Sequence, residues 1–231
     1  MDVHTGDEVR TVEVDAAGRF SGVTTAKGAR LAGQMLGVSI GVEPNLVLPR
    51  KFSPGPELGR GIRVNQFLET SIPGIFACGD CAEIVPEGGK PFVETIWYSA
   101  KRQGALVAGN LLGDKLPYRP PVFFNSSKFL DVEFTTVGQV QDVPEGTPST
   151  YRRLEGKPIS QRLVHDGRRV LGFNMLGSRW DHEVLSRWVE EKRSPQFCLD
   201  HLHEAQFDVE FGRVDLSAMK QVELPVKRGQ P

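Results

Sequence analysis

The chain has 231 residues, 39% hydrophobic and 25% charged, with a formal net charge of −1. This composition is typical of a globular protein. A net charge this close to zero gives no electrostatic reason to expect binding to nucleic acid or to an anionic membrane surface. No apolar run approaches the roughly 18 to 20 residues that span a bilayer. Without a signal-peptide pattern, and with only three cysteines, the sequence predicts a cytoplasmic protein with no disulfide framework.

Short β-like runs separated by turns occupy the first part of the chain. Residues 9–14 alternate apolar and polar side chains, and residues 20–24 follow a glycine-containing turn, which predicts an antiparallel meander. Residues 34–40 are mostly apolar and are expected to form a buried strand. The proline- and glycine-rich residues 49–61 are expected to be a loop.

Two short strands are predicted next, at residues 62–64 and 75–77. A helix is predicted from about residue 95 to 112, because apolar and small residues recur there at helical spacing and Gly113 ends the run as a C-terminal cap would. Three prolines, Pro117, Pro120 and Pro121, then mark a predicted domain boundary.

Beyond this boundary the pattern is that of an antiparallel sheet with helices. Strands are predicted at 130–137, 161–165 and 170–176, with Asp166-Gly167 as a hairpin turn. Helices are predicted at 181–192 and 195–204, with Asp181 and Ser194 as N-caps. The polar tail after Val214 is expected to be loose.

The most informative stretch is residues 70–80, Thr-Ser-Ile-Pro-Gly-Ile-Phe-Ala-Cys-Gly-Asp. A glycine at the end of a strand lets a ligand approach the backbone closely, because no Cβ intrudes. The carboxylate of Asp80 can then accept hydrogen bonds from sugar-like hydroxyl groups. Gly79-Asp80 alone is more typical of an ordinary strand-to-turn junction with Asp80 as a cap, but the extended pattern from Thr70 favours a ligand site.

Residues 70–80 resemble the second FAD-binding motif of the FAD-dependent pyridine nucleotide-disulfide oxidoreductases. Residues on both sides extend this resemblance. Gly41-x-x-Pro44-Asn45 is similar to the crossover out of the family's NAD(P)H domain, and residues 96–104 resemble its Leu-Trp-Pro-Asn-Ala-x-x-Gln-Gly helix. Residues 128–138 resemble the opening of its C-terminal interface domain.

The resemblance implies a partial FAD site. Asp80 would hydrogen-bond the ribityl chain, with Gly79 and the Cys81 amide nearby. The following helix would direct its N-terminus at the pyrimidine edge of the flavin, where its dipole would stabilise the negative charge of reduced flavin. The segment against the isoalloxazine ring would consist of Glu94, Thr95, Ile96 and Trp97. From the residues alone, a core aromatic at helical spacing is the favoured interpretation of Trp97.

The resemblance also implies a fold class of α/β and α+β. A β meander at residues 1–44 would be a remnant of the NAD(P)H-binding domain, and residues 45–117 would form the second part of the FAD-binding domain. Residues 118–231 would form an α+β interface domain, through which a homodimer is expected.

For the other residues that could carry chemistry, a structural role is favoured over a catalytic or metal-binding one. Cys78-x-x-Cys81 could be a redox dithiol or half of a zinc site, but no spaced Cys/His partner set exists and structural cysteines are favoured. Solvated helix residues are favoured for His182-Glu183 and for His201-x-His203-Glu204. The pairs Arg152-Arg153 and Arg168-Arg169 are interpreted as surface charge, with docking of an acidic redox partner as the alternative. No catalytic or metal-binding residue is therefore predicted.

The Gly-x-Gly-x-x-Gly pattern that binds dinucleotide phosphates does not occur in the sequence. The resemblance would place both fingerprints, for FAD and for NAD(P)H, upstream of Met1. The predicted function is therefore the C-terminal portion of an FAD-dependent NAD(P)H oxidoreductase, incomplete on its own. Its expected partner is the missing N-terminal half or an upstream-encoded subunit. The alternative is a non-catalytic dimerisation or regulatory module derived from such an enzyme.

Overall fold

The computed structural model describes residues 2–141, 143–207 and 209–222. These residues form two units that divide between Tyr118 and Arg119. Both units contain sheets and helices, so the chain has a mixed α/β fold. None of the helices in the described part of the chain has the length and apolar character that a membrane crossing requires.

The predicted N-terminal meander is confirmed. Strands β1 (Val9–Val14), β2 (Phe20–Thr25) and β3 (Arg30–Ala32) form an antiparallel sheet in that order. The β1–β2 turn forms because an Asp15 side-chain oxygen accepts from the backbone N–H of Ala17 (2.8 Å) and of Arg19 (3.0 Å). Gly18 completes the turn in the left-handed region, at φ 76°.

The buried strand expected at residues 34–40 is wrong. This segment has no regular secondary structure, and its apolar side chains face outward, with Met35 87% and Ile40 92% exposed. An apolar run becomes a strand only where another strand is available to pair with its backbone. Within the described residues, β3 has β2 on one side and no strand on the other.

A second three-stranded sheet follows in the first unit. It contains β4 (Ile62–Val64), β5 (Ala82–Ile84) and β6 (Phe92–Val93), with β4 and β5 parallel and β5 and β6 antiparallel. Its core consists of six buried residues: Val64, Leu68, Ala77, Ala82, Ile84 and Tyr118.

The strand predicted at residues 75–77 is reduced to one isolated bridge, between Phe76 and Glu69. Leu68 has left-handed backbone, at φ 65°, and this bends the chain beside the bridge so that the ladder does not continue. The regular strand of the motif, β5, therefore follows Asp80 instead of preceding it.

The predicted helix of the first unit is present as α1 (Trp97–Leu111). Gly113 follows it at φ 102°, as expected of a C-terminal cap. Near this end the buried Asn110 donates to the carbonyl oxygens of Phe67 (2.8 Å) and Leu116 (2.9 Å). These bonds fix the C-terminal end of α1 to the segment beside β4.

The second unit is built on a six-stranded antiparallel sheet in the order β12-β9-β10-β11-β8-β7. The strands are β7 (Phe124–Phe129), β8 (Val132–Gly138), β9 (Ser149–Leu154), β10 (Ile159–His165), β11 (Val170–Leu176) and β12 (Lys220–Gln221). The predicted Asp166-Gly167 turn joins β10 to β11, with Asp166 N–H donating to the Arg169 carbonyl at 3.2 Å. Leu130, expected to begin a strand, lies instead in the β7–β8 turn at φ 52°.

Helices α2 (His182–Glu190), α3 (Pro195–Asp200) and α4 (Val209–Gly212) complete this unit. The N-caps Asp181 and Ser194 are confirmed, since each side chain accepts from backbone N–H groups of its helix. The second predicted helix is shorter than expected and gives way to a 3₁₀ helix at Leu202–Ala205. The expectation of a loose tail is wrong up to residue 222, because β12 pairs with β9; residues 223–231 lie outside the described residues.

Candidate functional site

Gly79, Asp80 and Cys81 form a short 3₁₀ turn that leads into β5. Gly79 is buried and has φ 75°, a backbone conformation that glycine adopts at little cost and other residues rarely adopt. The turn packs against α1, because a Cβ built on Gly79 would lie 3.5 Å from the Cβ of Ala100. The next residue, Asp80, is exposed, so the turn presents a carboxylate at the surface.

A buried glutamine connects this turn to α1. Gln103 is 0% exposed, and its Oε1 accepts from the backbone N–H of Gly79 at 2.7 Å. Its Nε2 donates to Glu94 Oε2 at 3.1 Å. One side chain therefore joins the Gly79 turn to the segment that precedes α1, two regions that are distant in the sequence.

Glu94 accepts three hydrogen bonds. Its Oε1 accepts from the Ser99 hydroxyl at 3.1 Å, and its Oε2 accepts from the Tyr118 hydroxyl at 2.7 Å as well as from Gln103. Partners of this kind offset the cost of removing a carboxylate from water. Burial raises the pKa of Tyr118 to about 12, and the hydrogen bond to Glu94 adds to the rise because it favours the protonated phenol.

The N-terminus of α1 is not capped by a side chain. Ile96 is the N-cap residue and has extended backbone, and the first turn contains no acidic residue. The positive end of the helix dipole is therefore not offset from within the helix. Trp97 is 67% exposed there, with the Lys101 ammonium 5.3 Å from its ring centre, so the core-aromatic interpretation of Trp97 is wrong.

These elements lie in the part of the chain that resembles known proteins. The family model for pyridine nucleotide-disulphide oxidoreductases matches residues 1–104, which include the Gly79 turn, Glu94 and Gln103. Residues 1–104, a little under half of the chain, are therefore similar to this family. Its members use FAD and NAD(P)H as cofactors.

Two relatives illustrate the range of the pyridine nucleotide-disulphide oxidoreductase family. The ferredoxin–NAD(+) reductase component of the p-cumate 2,3-dioxygenase system of Pseudomonas putida is 28% identical over 213 residues, which is 84% of this chain and 51% of the relative. An NADH oxidase of Methanocaldococcus jannaschii is 33% identical over 188 residues, which is 71% of this chain and 42% of the relative. The chain thus spans about half the length of the curated relatives that it matches.

A solved structure has the same fold. An FAD-dependent pyridine nucleotide-disulphide oxidoreductase from Desulfovibrio vulgaris superposes with a TM-score of 0.64 at 27% identity. The match covers 87% of this chain and 52% of the other. The likeness therefore extends over both units of this chain.

The seven site residues predicted from the sequence lie in two segments. Gly79, Asp80 and Cys81 form the turn, while Glu94, Thr95, Ile96 and Trp97 lead into α1. Sequence reasoning did not assign Ser99 or Tyr118 to the site. Tyr118 lies 24 residues from the carboxylate it contacts, and no local pattern signals a pair so far apart.

The Cys-x-x-Cys pair has the properties of structural cysteines in this chain. Cys78 and Cys81 are free and half-buried. Burial raises the pKa of both thiols, which lowers the thiolate fraction that a redox dithiol would need. The Cys81 thiol lies 3.5 Å from the carbonyl oxygen of Cys78, to which it donates.

The histidines of the second unit pack against aromatic rings. His182 stacks on Phe124 with ring centres 4.0 Å apart, and His201 stacks on Phe197 at 4.1 Å. In the described part of the chain, no group of His, Cys, Asp and Glu residues is arranged to hold a metal ion. The surface-charge interpretation is wrong for Arg152, which is half-buried and donates to the Leu216 carbonyl at 2.6 Å.

Proposed function

We propose that the chain is the C-terminal portion of an FAD-dependent NAD(P)H oxidoreductase and contributes the ribityl- and isoalloxazine-facing part of its FAD site. One observation carries this proposal. Gln103 links the Gly79 turn, from the FAD-like motif, to Glu94, from the segment expected to lie against the flavin ring. The family match and the relatives support the same activity.

The donor and acceptor groups of the turn fit the ribityl part of FAD. Asp80 is exposed, and within the described residues its carboxylate has no assigned hydrogen bond, so it is available to accept from ribityl hydroxyls. The Gly79 N–H already donates to Gln103. We therefore assign Gly79 the role of allowing close approach, and Asp80 that of binding, with Cys81 beside it.

The start of α1 fits the other end of the flavin. Its uncapped N-terminus favours negative charge, and the exposed indole of Trp97 offers an apolar surface beside it. When bound, FAD would accept a hydride from NAD(P)H and pass the electrons to an acceptor. Residues Glu94 to Trp97 would orient the ring and exclude water from one side of it.

The proposal includes a partner and a division of the chain. Residues 1–44 would belong to the NAD(P)H-binding domain, 45–117 to the FAD-binding domain and 118–231 to an interface domain that forms a homodimer. The missing half, with the two Gly-x-Gly-x-x-Gly loops, would cover exposed apolar side chains of the first unit. These side chains include Val3, Met35, Val38, Ile40, Val47 and Leu48.

The test is FAD binding with and without that half. The chain would be studied alone and co-expressed with the N-terminal half of the Pseudomonas putida relative. We expect weak FAD binding alone and a stable yellow complex with the half. Asp80→Ala should weaken FAD binding by about ten- to a hundredfold, because a hydrogen bond to a charged group contributes about 1.5–3 kcal/mol.

Glu87→Ala is the matched control, since it removes another exposed carboxylate of the same unit. It should leave FAD binding unchanged. A complex that forms but stays colourless would contradict the proposal, as would equal FAD binding by wild type and Asp80→Ala. A colourless complex would favour the alternative, a non-catalytic dimerisation module, which is consistent with the absence of a glycine-rich phosphate loop from this sequence.

A further inference from the structure

The orientation of the Gln103 amide is determined at both ends. A backbone N–H can only donate, so the Gly79 amide requires the Gln103 oxygen at 2.7 Å. An ionised carboxylate can only accept, so Glu94 requires the Gln103 nitrogen at 3.1 Å. The two requirements are compatible only if residue 94 presents an acceptor to Gln103.

We propose that Glu94 is a positioning residue for the flavin site, acting through Gln103 to hold the Gly79-Asp80 turn. The proposal rests on the proposed function, because Asp80 is the group that would be positioned. Glu94 acts at a distance, since Gln103 lies between it and the turn.

The surroundings of Glu94 are suited to this role. The hydroxyl groups of Ser99 and Tyr118 occupy both carboxylate oxygens, so the carboxylate is held from two other sides. Gln103 is fully buried, and water cannot replace Glu94 as its partner without rearrangement. The turn itself has φ 75° at Gly79, where glycine has no side chain of its own to fix the conformation.

The first measurement is made on the full chain without flavin. Glu94→Leu keeps much of the volume of the side chain but removes both acceptor oxygens, so Gln103 Nε2 loses its partner. The Gln103 amide is then held at one end only, and its hydrogen bond with the Gly79 N–H should open more often. We expect hydrogen exchange of the Gly79 N–H, followed by NMR, to become about tenfold faster or more, the change that corresponds to a net hydrogen bond of about 1.4 kcal/mol.

Exchanging the two side chains provides the decisive variant. Gln103→Glu alone would bring two carboxylates together and should also release the Gly79 N–H. In the double variant Glu94→Gln/Gln103→Glu, residue 103 accepts from Gly79 and from the new amide at residue 94. Slow exchange of the Gly79 N–H should therefore return, which a general packing defect would not allow.

Glu69→Leu is the matched control. Glu69 accepts from the Asn65 side-chain amide at 2.8 Å, as Glu94 does from Gln103, but the bond is exposed and away from the Gly79 turn. This variant should leave Gly79 exchange unchanged. Equal Gly79 exchange in wild type and Glu94→Leu would overturn the inference without touching the proposed function.

The second measurement is FAD affinity in the complex with the N-terminal half. Affinity should fall about tenfold in Glu94→Leu and in Gln103→Glu, and recover in the double variant. If Gly79 exchange becomes faster but FAD affinity does not change, the inference is overturned, because Glu94 then holds the turn without affecting the flavin site. If the wild-type complex binds no FAD, the proposed function fails and the inference fails with it.

Discussion

The two units of the chain differ in how completely they bury their apolar side chains. In the second unit, the sheet and helices enclose large side chains that are 0–2% exposed, among them Trp188, Phe173, Leu163, Met175 and Leu185. The first unit has two three-stranded sheets and one long helix. It leaves Met35 and Ile40 almost fully exposed.

This difference separates the source of stability from the location of the candidate site. Burial of apolar surface is the dominant favourable contribution to folding, and the second unit has more of it in large side chains. The Gly79 turn, Glu94 and Gln103 all lie in the first unit, which is held by buried hydrogen bonds around a small core. We therefore expect the first unit to depend on polar contacts and the second on packing.

The largest effect is expected from removing a core tryptophan. Trp188 is 2% exposed and contacts the Phe173 and Phe197 rings, with centres 6.2 and 6.0 Å away. Trp188→Ala should lower the free energy of unfolding of the second unit by about 3–5 kcal/mol, because it leaves a cavity. Urea unfolding followed by hydrogen-exchange mass spectrometry would report the two units separately.

Trp97→Ala is the counterpart in the first unit. Because Trp97 is exposed, its removal should change stability by no more than about 0.5 kcal/mol. An equal loss of protection in both units of Trp188→Ala would show that they unfold together, and the distinction between them would fail.

A smaller effect is expected from a polar contact of the first unit. Tyr118→Phe removes the hydroxyl that donates to Glu94 and should cost about 1.5–3 kcal/mol at neutral pH, the range for hydrogen bonds to charged groups. Peptides from the first unit should lose protection in hydrogen exchange, while those from the sheet of the second unit should not. If Tyr118→Phe left the stability of the first unit unchanged, the hydrogen bond from Tyr118 to Glu94 would not contribute to it.

The same variant has a predicted pH dependence. The pKa of Tyr118 is raised from 10.0 to about 12 in the folded chain. The folded state therefore holds this proton more tightly than the unfolded state, so the stability it confers is present below pH 10 and is lost as pH rises through about 12. Wild type should lose more stability than Tyr118→Phe over this interval in alkaline urea titrations.

Local signals in the sequence predicted much of the fold. Asp181, Ser194 and Gly113 mark helix ends because capping involves only neighbouring residues, and each occupies the expected position. Residues 34–40 failed because a strand depends on a partner, which an apolar pattern does not reveal. Strands β7 and β9 were missed although they pair regularly in the sheet.

In the candidate site too, local features were predicted from the sequence and long-range contacts were not. Gly79 and Asp80 stand in a contiguous motif and were found from it. The contact between Tyr118 and Glu94, and that between Gly79 and Gln103, join residues 24 positions apart. Such contacts are set by tertiary packing, so the sequence indicated a ligand-binding turn but not the hydrogen bonds that hold it.

Each unit contains a glycine that packs closely against neighbouring backbone, so that an added Cβ should destabilise the unit. A Cβ on Gly61 would lie 2.8 Å from the Cys81 carbonyl oxygen, and one on Gly172 would lie 2.6 Å from that of Gln139. Gly61→Ala and Gly172→Ala should each cost about 1–3 kcal/mol, in the first and second unit respectively, because backbone must move.

Gly104→Ala is the control for these variants. Gly104 lies in α1, and a Cβ there would have no neighbour within 4 Å. The substitution should stabilise the first unit by up to about 1 kcal/mol, since alanine favours helix over glycine. Destabilisation by Gly104→Ala would mean that another surface approaches α1 at this point.

The smallest effect is expected from two aspartates in hairpin turns, one in each unit. Asp15 and Asp166 each accept backbone N–H bonds within a hairpin turn, from Arg19 in one case and from Arg168 and Arg169 in the other. These bonds lower the pKa of both carboxyls, that of Asp166 from 3.8 to about 2.

A lowered pKa stabilises the folded state above the unfolded value, and the contribution is lost as pH falls from 3.8 through about 2. Acid should therefore weaken the second unit through Asp166. Asp166→Asn retains an acceptor oxygen for the turn but removes the charge, so its unfolding midpoint should vary less with pH over this interval than that of wild type. The effect is expected to be small because both side chains lie at the surface, Asp15 being 34% and Asp166 40% exposed. The comparison of the two variants is what makes it informative. If Asp15→Asn changed the acid response of the second unit as much as Asp166→Asn did, the two units would share one unfolding equilibrium, and the difference in their cores would not govern how they unfold.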